Sequence, residues 1–274
     1  MVRYLRLEYC FEAANRELKD IDILTRQRAV KALSDYLHDP EHIAEAINED
    51  FSQPDVIRLN IHKAIELLTT NLSGAEAIVK AGYIDLLVKC VEKEVDEIKA
   101  IVLDTLYHCF SFDSDEGLNS GGIPLFTKLL SHSNSEIRTR AAQNILRLCV
   151  NPRGKQEALD NETIPALVGL LNDQSEDVKA SSTGALAFIC TTNHGRYTTL
   201  NAGAIPLLLC LVDNNNNSRI RINALKVLTC LSETPEGRRI LLDYLDKISS
   251  HLNDTNAAVV KHTKIAISVI TWKP

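Results

Sequence analysis

Gly122-Ile123-Pro124-Leu125-Phe126-Thr127-Lys128-Leu129-Leu130 returns as Thr163-Ile164-Pro165-Ala166-Leu167-Val168-Gly169-Leu170-Leu171 and again as Ala204-Ile205-Pro206-Leu207-Leu208-Leu209-Cys210-Leu211-Val212. Pro124, Pro165 and Pro206 therefore stand 41 residues apart. A second phrase keeps nearly the same step. Ile137-Arg138 is followed by Ala141, Ile145 and Leu148; Val178-Lys179 by Ser182, Leu186 and Ile189; Ile220-Arg221 by Ala224, Leu228 and Leu231. Proline in a first helical turn has no donor to lose and a backbone preset for the helix, so each Ile-Pro opens a short apolar helix. Polar breaks such as Ser131 to Ser135 and Asp213 to Ser218 supply capping side chains for the next helix. That helix carries apolar residues on one face at i, i+4, i+8 and i+11 and closes near Cys149, Cys190 or Ser232. A polar turn containing Gly154, Gly195 or Gly237 leads into the next copy.

Two or three helices in roughly 40 to 47 residues is the signature of armadillo and HEAT arrays. The glycine, the Ile-Pro opening and the Arg or Lys after the apolar start favour armadillo. The expectation is an all-α, right-handed superhelical armadillo solenoid, continuous as one domain over 1–274. Residues 1–21 form an N-terminal cap, 22–117 irregular repeats with one shortened unit, 118–244 the three clear repeats and 245–274 a closing repeat. Ala141, Ile145, Leu186 and Leu228 are expected to be buried between neighbouring units. In the irregular part, Thr25-Arg26 and Ile57-Arg58 stand only 32 residues apart, and Asp50 to Asp55 reads as a loop where a middle helix should be. Leading from Gly82, Ile84 to Val91 is an apolar helix, and Ile98 to Phe110 a long one. Ser111 to Gly122 reads as a polar joint, and Leu245 to Leu252 with Val259 to Ile270 as the last helix pair.

The chain has 274 residues, is 45% hydrophobic and only 5% aromatic, and small aliphatic side chains suit close helix stacking. Its net charge of -6 argues against a general nucleic-acid binder, which needs a basic stripe to engage phosphates. A run of about 18 apolar residues is missing, and the first ten residues lack the apolar stretch of a secretory signal, so membrane insertion and export are not expected. Of the seven cysteines, Cys109, Cys149 and Cys190 fall at equivalent places in successive units and read as buried reduced thiols.

Catalytic and metal motifs find no support. His38 and His42 are four apart, but Pro40 between them breaks the helical face two ligands would share. No Cys-x-x-Cys or His-Glu-x-x-His occurs, and Gly121-Gly122 is a helix lead-in rather than a phosphate loop. The expectation is a non-enzymatic chain with no cofactor, metal or small-molecule substrate. Asn214 to Asn217 is a biased inter-helix loop.

The likeness to armadillo arrays implies that the long third helices line an inner face. Relatives such as importin-alpha and the catenins hold extended peptides there with a ladder of Asn, often with Trp, at fixed positions. In this chain the Asn positions are His108, Arg147, Phe188 and Cys230, and the Trp positions are Asp104, Gln143, Gly184 and Lys226. The ladder is replaced. Asp104, His108, Gln143, Arg147, Phe188, Lys226 and Cys230 are therefore the candidate partner-binding residues, suited to a helix or a folded partner rather than a nuclear-localisation peptide.

Three stretches carry a finer resemblance. Leu24 to Leu33 with His38-Asp39-Pro40-Glu41, then Ile101 to Leu106, and the ending Ile265-Ala266-Ile267-Ser268-Val269-Ile270-Thr271-Trp272-Lys273-Pro274 are similar to the radial spoke head protein 14 family of ciliary axonemes. That resemblance implies a scaffold subunit of the radial spoke of cilia and flagella, bound to other radial spoke proteins and to doublet-microtubule-associated proteins and supporting motility. The family carries one more unit between Ile47 and Val56, which matches the short spacing there, and its N-terminal arm is not recognisable in Met1 to Cys10. A general cytoplasmic armadillo adaptor is the alternative.

Overall fold

The computed structural model describes residues 55–214 and 217–273, together with Asp22 and Thr25. The expected N-terminal cap, the repeat from 26 to 47, the loop at 50–54, the His38–His42 pair and Asn215–Asn216 lie outside the described residues. Every regular element among the described residues is helical, in two compact units divided between Gly121 and Gly122.

In the first unit the helices are α1 (Asp55–Thr69), α2 (Leu72–Lys80), α3 (Ile84–Lys93), α4 (Asp96–Phe112) and the short α5 (Asp115–Asn119). The second holds α6 (Gly122–Leu129) and α7 (Ser135–Leu148), followed by three triplets. These are α8 (Pro152–Asp160), α9 (Thr163–Gly169) and α10 (Glu176–Ile189); α11 (Asn193–Asn201), α12 (Ala204–Val212) and α13 (Ser218–Leu231); and α14 (Pro235–Leu242), α15 (Leu245–Ser249) and α16 (Ala257–Ile270). Short 3-10 turns extend α9 and α15, at Leu170–Asn172 and Ser250–Asn253.

The three Ile-Pro phrases are α6, α9 and α12, and the second phrase is α7, α10 and α13, with Cys149, Cys190 and Ser232 as the C-caps. Each polar break caps the following helix as expected. Asn134 accepts from the Glu136 amide, Ser175 from Val178, and Asn217 from Arg219 and Ile220. Ala141, Ile145, Leu186 and Leu228 are completely buried. Removing a leucine or isoleucine side chain such as Ile145, Leu186 or Leu228 from water contributes about 1.5–3 kcal/mol.

Gly154, Gly195 and Gly237 do not form turns; each lies in the first turn of a separate helix, α8, α11 or α14. Asn151, Thr192 and Thr234 cap these helices, and a Cβ on any of the three glycines would collide with the carbonyl of Leu148, Ile189 or Leu231 ending the preceding third helix. Glycine serves here for close approach of two backbones. The thiols of Cys149 and Cys190 point at the same place, donating to the carbonyls of Gly154 and Gly195 at 3.6 and 3.9 Å. Burial pushes both thiols up to about 12, as it does Cys109. Likewise, the expected joint from Ser111 to Gly122 contains α5.

Left-handed backbone sits two residues before each apolar opening isoleucine, at Gly82, Gly121 and Gly203 (φ 76, 74 and 74°) and at Glu162 (φ 55°). Ile84, Ile123, Ile164 and Ile205 are buried immediately after it.

Where the basic residue after the apolar start is an arginine, at Arg58, Arg138 and Arg221, it has a structural partner one unit on. Arg138 Nε and Nη2 donate to both carboxylate oxygens of Asp173 at 2.9 Å, while its Nη1 donates to the carbonyls of His132 and Ser133. Arg58 grips Glu94 in the same bidentate way at 3.0 Å, and Arg221 pairs with Asp254. Asp173 and Asp254 also accept the amides of Ser175 and Asn256, so one carboxylate ties a loop to the neighbouring repeat. Burial opposes ionisation of Asp173, but hydrogen bonds from Arg138 and Ser175 outweigh it and hold the carboxyl below its ordinary range.

Candidate partner-binding groove

Third helices α7, α10, α13 and α16 pack successively against one another through their buried alanine, isoleucine and leucine faces. At the centre of that row the side chains are small. Gly184 on α10 is so close to its neighbours that a Cβ would stand 3.1 Å from Leu146 on α7 and 3.3 Å from Asn223 on α13. The depression above it opens into a groove of about 500 Å³ that runs from Leu146 across α10 and α13 to Ile265 on α16. Phe188 and Ile265 are 39% and 40% exposed and form its apolar flanks. Arg219 and Lys226 bring positive charge to the same opening, which His262 also lines.

Of the sequence-derived candidates, Phe188, Lys226 and Cys230 line this groove together with Gly184. Cys230 is half-buried, and its thiol is pushed up by burial and by Glu233, against the opposing effect of Arg196. Gln143 and Arg147 lie half-buried on α7 and are not among the lining residues. Asp104 and His108 belong to α4 in the first unit, where His108 Nε2 lies 3.7 Å from Glu66 Oε1 and its ring meets Tyr107 edge-on.

Arg219, Asn223, His262 and Ile265 escaped the sequence reading, although their spacing shows them. Arg219, Asn223, Lys226 and Cys230 follow the i, i+4, i+7, i+11 rule of a single helical face. Asn223 stands three residues before Lys226 and donates through Nδ2 to the Ala180 carbonyl at 3.2 Å, cross-linking α13 to α10 instead of facing a ligand. His262 is held below its ordinary value by burial and by the nearby charges of Lys226 and Lys261.

Among the described residues no cluster of three His, Cys, Asp or Glu side chains could hold a metal ion, and no helix is long and apolar enough to cross a membrane.

A family model described as Plant U-box protein ARM repeat region matches residues 46–251. Among solved structures, a designed armadillo repeat protein in complex with the peptide (KR)4 is similar at a TM-score of 0.75 and 19% identity, covering 84% of this chain and 98% of that one. An engineered protein from a structural genomics consortium reaches 0.76 at 20% identity, covering 83% and 96%. A second engineered protein from the same source reaches 0.78 at 19%, covering 98% of this chain and 69% of that one.

Proposed function

The chain belongs to the armadillo-repeat family, and we propose that it is a non-enzymatic protein-binding scaffold whose third-helix face receives a folded or helical partner. The observation that carries this reading is the groove over Gly184, apolar at its flanks, open to solvent and rimmed by cationic side chains. The designed relative holds a basic peptide. Here the Asn positions are occupied by His108, Arg147, Phe188 and Cys230, so an extended basic peptide meets neither a regular set of amides nor a complementary charge. Affinity must come from packing, which favours a preorganised partner.

We further propose that this scaffold is a radial spoke subunit in the axoneme of cilia and flagella, bound to other spoke proteins and to doublet-associated proteins. Support comes from the resemblance of Ile101 to Leu106 and of the ending Ile265 to Pro274, with Leu24 to Leu33, to the radial spoke head protein 14 family. Epitope-tagged protein expressed in ciliated cells is expected to fractionate with axonemes and to leave them together with spoke proteins on salt extraction. Exclusive recovery in the soluble fraction would replace the spoke reading with that of a general cytoplasmic armadillo adaptor. Arg147→Glu with Phe188→Ala is expected to weaken axonemal recovery at unchanged helix content; full incorporation moves the contact away from this face.

A further inference from the structure

We propose that the groove over Gly184 takes an acidic amphipathic helix, its carboxylates reaching Arg219 and Lys226 and its apolar side chains seated between Phe188 and Ile265. The inference rests on the scaffold reading and deepens it by naming the partner's chemistry. Charge segregation carries it. The chain as a whole is negative by six charges, yet beyond their first turns α7, α10, α13 and α16 contain no Asp or Glu, only Lys, Arg and His as charged or titratable side chains besides Cys230. Nor is there an Asp or Glu among the residues lining the groove; of the nearby carboxylates, Glu176 is held by Lys179 and Asn214, Glu233 by Arg196 and Asp254 by Arg221, while Asp177 is exposed in the first turn of α10, outside the lining. A partner carboxylate entering the groove therefore meets Arg219 and Lys226 and no carboxylate in its lining.

Geometry selects a helix. Arg219 and Lys226 are both exposed and stand seven residues apart on α13, two turns or about 10 Å along its axis. A partner helix with carboxylates at i and i+7 presents the same spacing, and apolar residues at i+3 and i+4 then fall between them, opposite the Phe188 and Ile265 flanks. Small floor residues leave room for those side chains, and Asn223, already bonded to Ala180, offers no regular contact to an extended backbone. Nucleic acid is the weaker fit, because the flanks are apolar and the cations flank a pit instead of tracking a phosphate line.

The test uses the whole chain and a fluorescent helical peptide of about 14 residues, the length of α13, with Glu at i and i+7 and Leu at i+3 and i+4. Comparison probes are the same peptide with Lys for Glu, the same composition with Glu at i and i+5, the (KR)4 peptide and a single-stranded oligonucleotide. Anisotropy is expected to show micromolar binding of the first peptide, weakened by salt, with the i, i+5 peptide at least several-fold weaker. Arg219→Glu with Lys226→Glu is expected to weaken it by roughly tenfold or more and to raise affinity for the Lys peptide. Arg239→Glu, an exposed change on α14, is expected to leave it unchanged. Tighter binding of the Lys peptide, of (KR)4 or of the oligonucleotide overturns the proposal, as does a charge-reversed double variant that binds within twofold of the parent. If no acidic peptide binds while the protein still fractionates with axonemes, the partner chemistry falls and the scaffold reading stands.

Discussion

Two joints of the second unit share a pattern in sequence and are closed by different chemistry. Where α7 meets the next repeat, Arg138 holds Asp173 in a bidentate pair whose side chains are 15% and 8% exposed. At the following joint the equivalent residue is Lys179, which turns to Glu176 in its own helix at 2.8 Å while Asn214 reaches that same Glu176. Beneath both, the seam is the same: Ile137, Ala141 and Ile145, then Val178, Ser182 and Leu186, then Ile220, Ala224 and Leu228, all buried. Stacking of third helices is thus carried by shape and apolar burial common to every joint, and the ionic bridge is a local device that can be exchanged. A single planar guanidinium can grip a carboxylate with two bonds, whereas an ammonium cannot, so the lysine joint needs Asn214 to complete the contact.

If the seam dominates, its disruption must exceed loss of any one bridge. Ala141→Glu places an unpaired carboxylate in a fully buried position shared by α7 and its neighbours and is expected to cost several kcal/mol, on the order of 3–5. An unchanged melting midpoint would contradict the repeat register. Asp173→Ala removes the partner of Arg138 and the acceptor for the Ser175 amide, with an expected cost of about 2–4 kcal/mol by denaturant unfolding. A loss larger than that of Ala141→Glu reverses the ranking of seam and bridge.

The bridge of the first unit sharpens the comparison through pH. Beside Arg58 and Glu94 lies His62, whose pKa is lowered to about 4 by burial and by Arg58, with Glu94 opposing. Because the folded value lies below the ordinary 6.5, the stability linked to neutral His62 is complete above that pH and is lost as pH falls toward about 4. Asp173, also lowered, keeps its contribution until pH falls below its ordinary 3.8. Hydrogen exchange at pH 5, corrected for intrinsic rates, is expected to show α1 losing protection while α7 retains it, and His62→Leu is expected to remove the difference. Smallest of the four effects is the graft of the arginine joint onto the lysine one. Lys179→Arg with Asn214→Asp is expected to change stability by at most about 1 kcal/mol, since a partly exposed pair replaces an existing hydrogen bond.

The helices that escaped the sequence reading explain where such reading stops. In α8 only Gly154 and Ala158 are buried, so no apolar face recurs every 3.6 residues, and its glycine suggests a turn. Only the adjacent Leu148 carbonyl reveals that the glycine is there for proximity. α11 and α14 hide for the same reason, each burying two residues. The candidate groove residues divide similarly. Phe188, Lys226 and Cys230 were legible from repeat register, while His262 and Ile265 come from a helix whose alignment with the others depends on packing.

By itself, then, the amino-acid sequence determined the all-helical armadillo array, its 41-residue step, the apolar seam through Ala141, Ile145, Leu186 and Leu228, and the caps that begin each third helix. Those features depend on residues close in the chain and on a periodicity that repeats them. Tertiary structure alone decided that Arg138 meets Asp173 and Arg221 meets Asp254, that first-turn glycines lie against carbonyls of the preceding helix, and that Gly184 lies under a groove lined from α7, α10, α13 and α16. The ion pairs and the groove join residues about a repeat apart, and the glycine contacts join two helices across a short turn; in each case the geometry is set by how neighbouring helices stack, which hydrophobic periodicity leaves open.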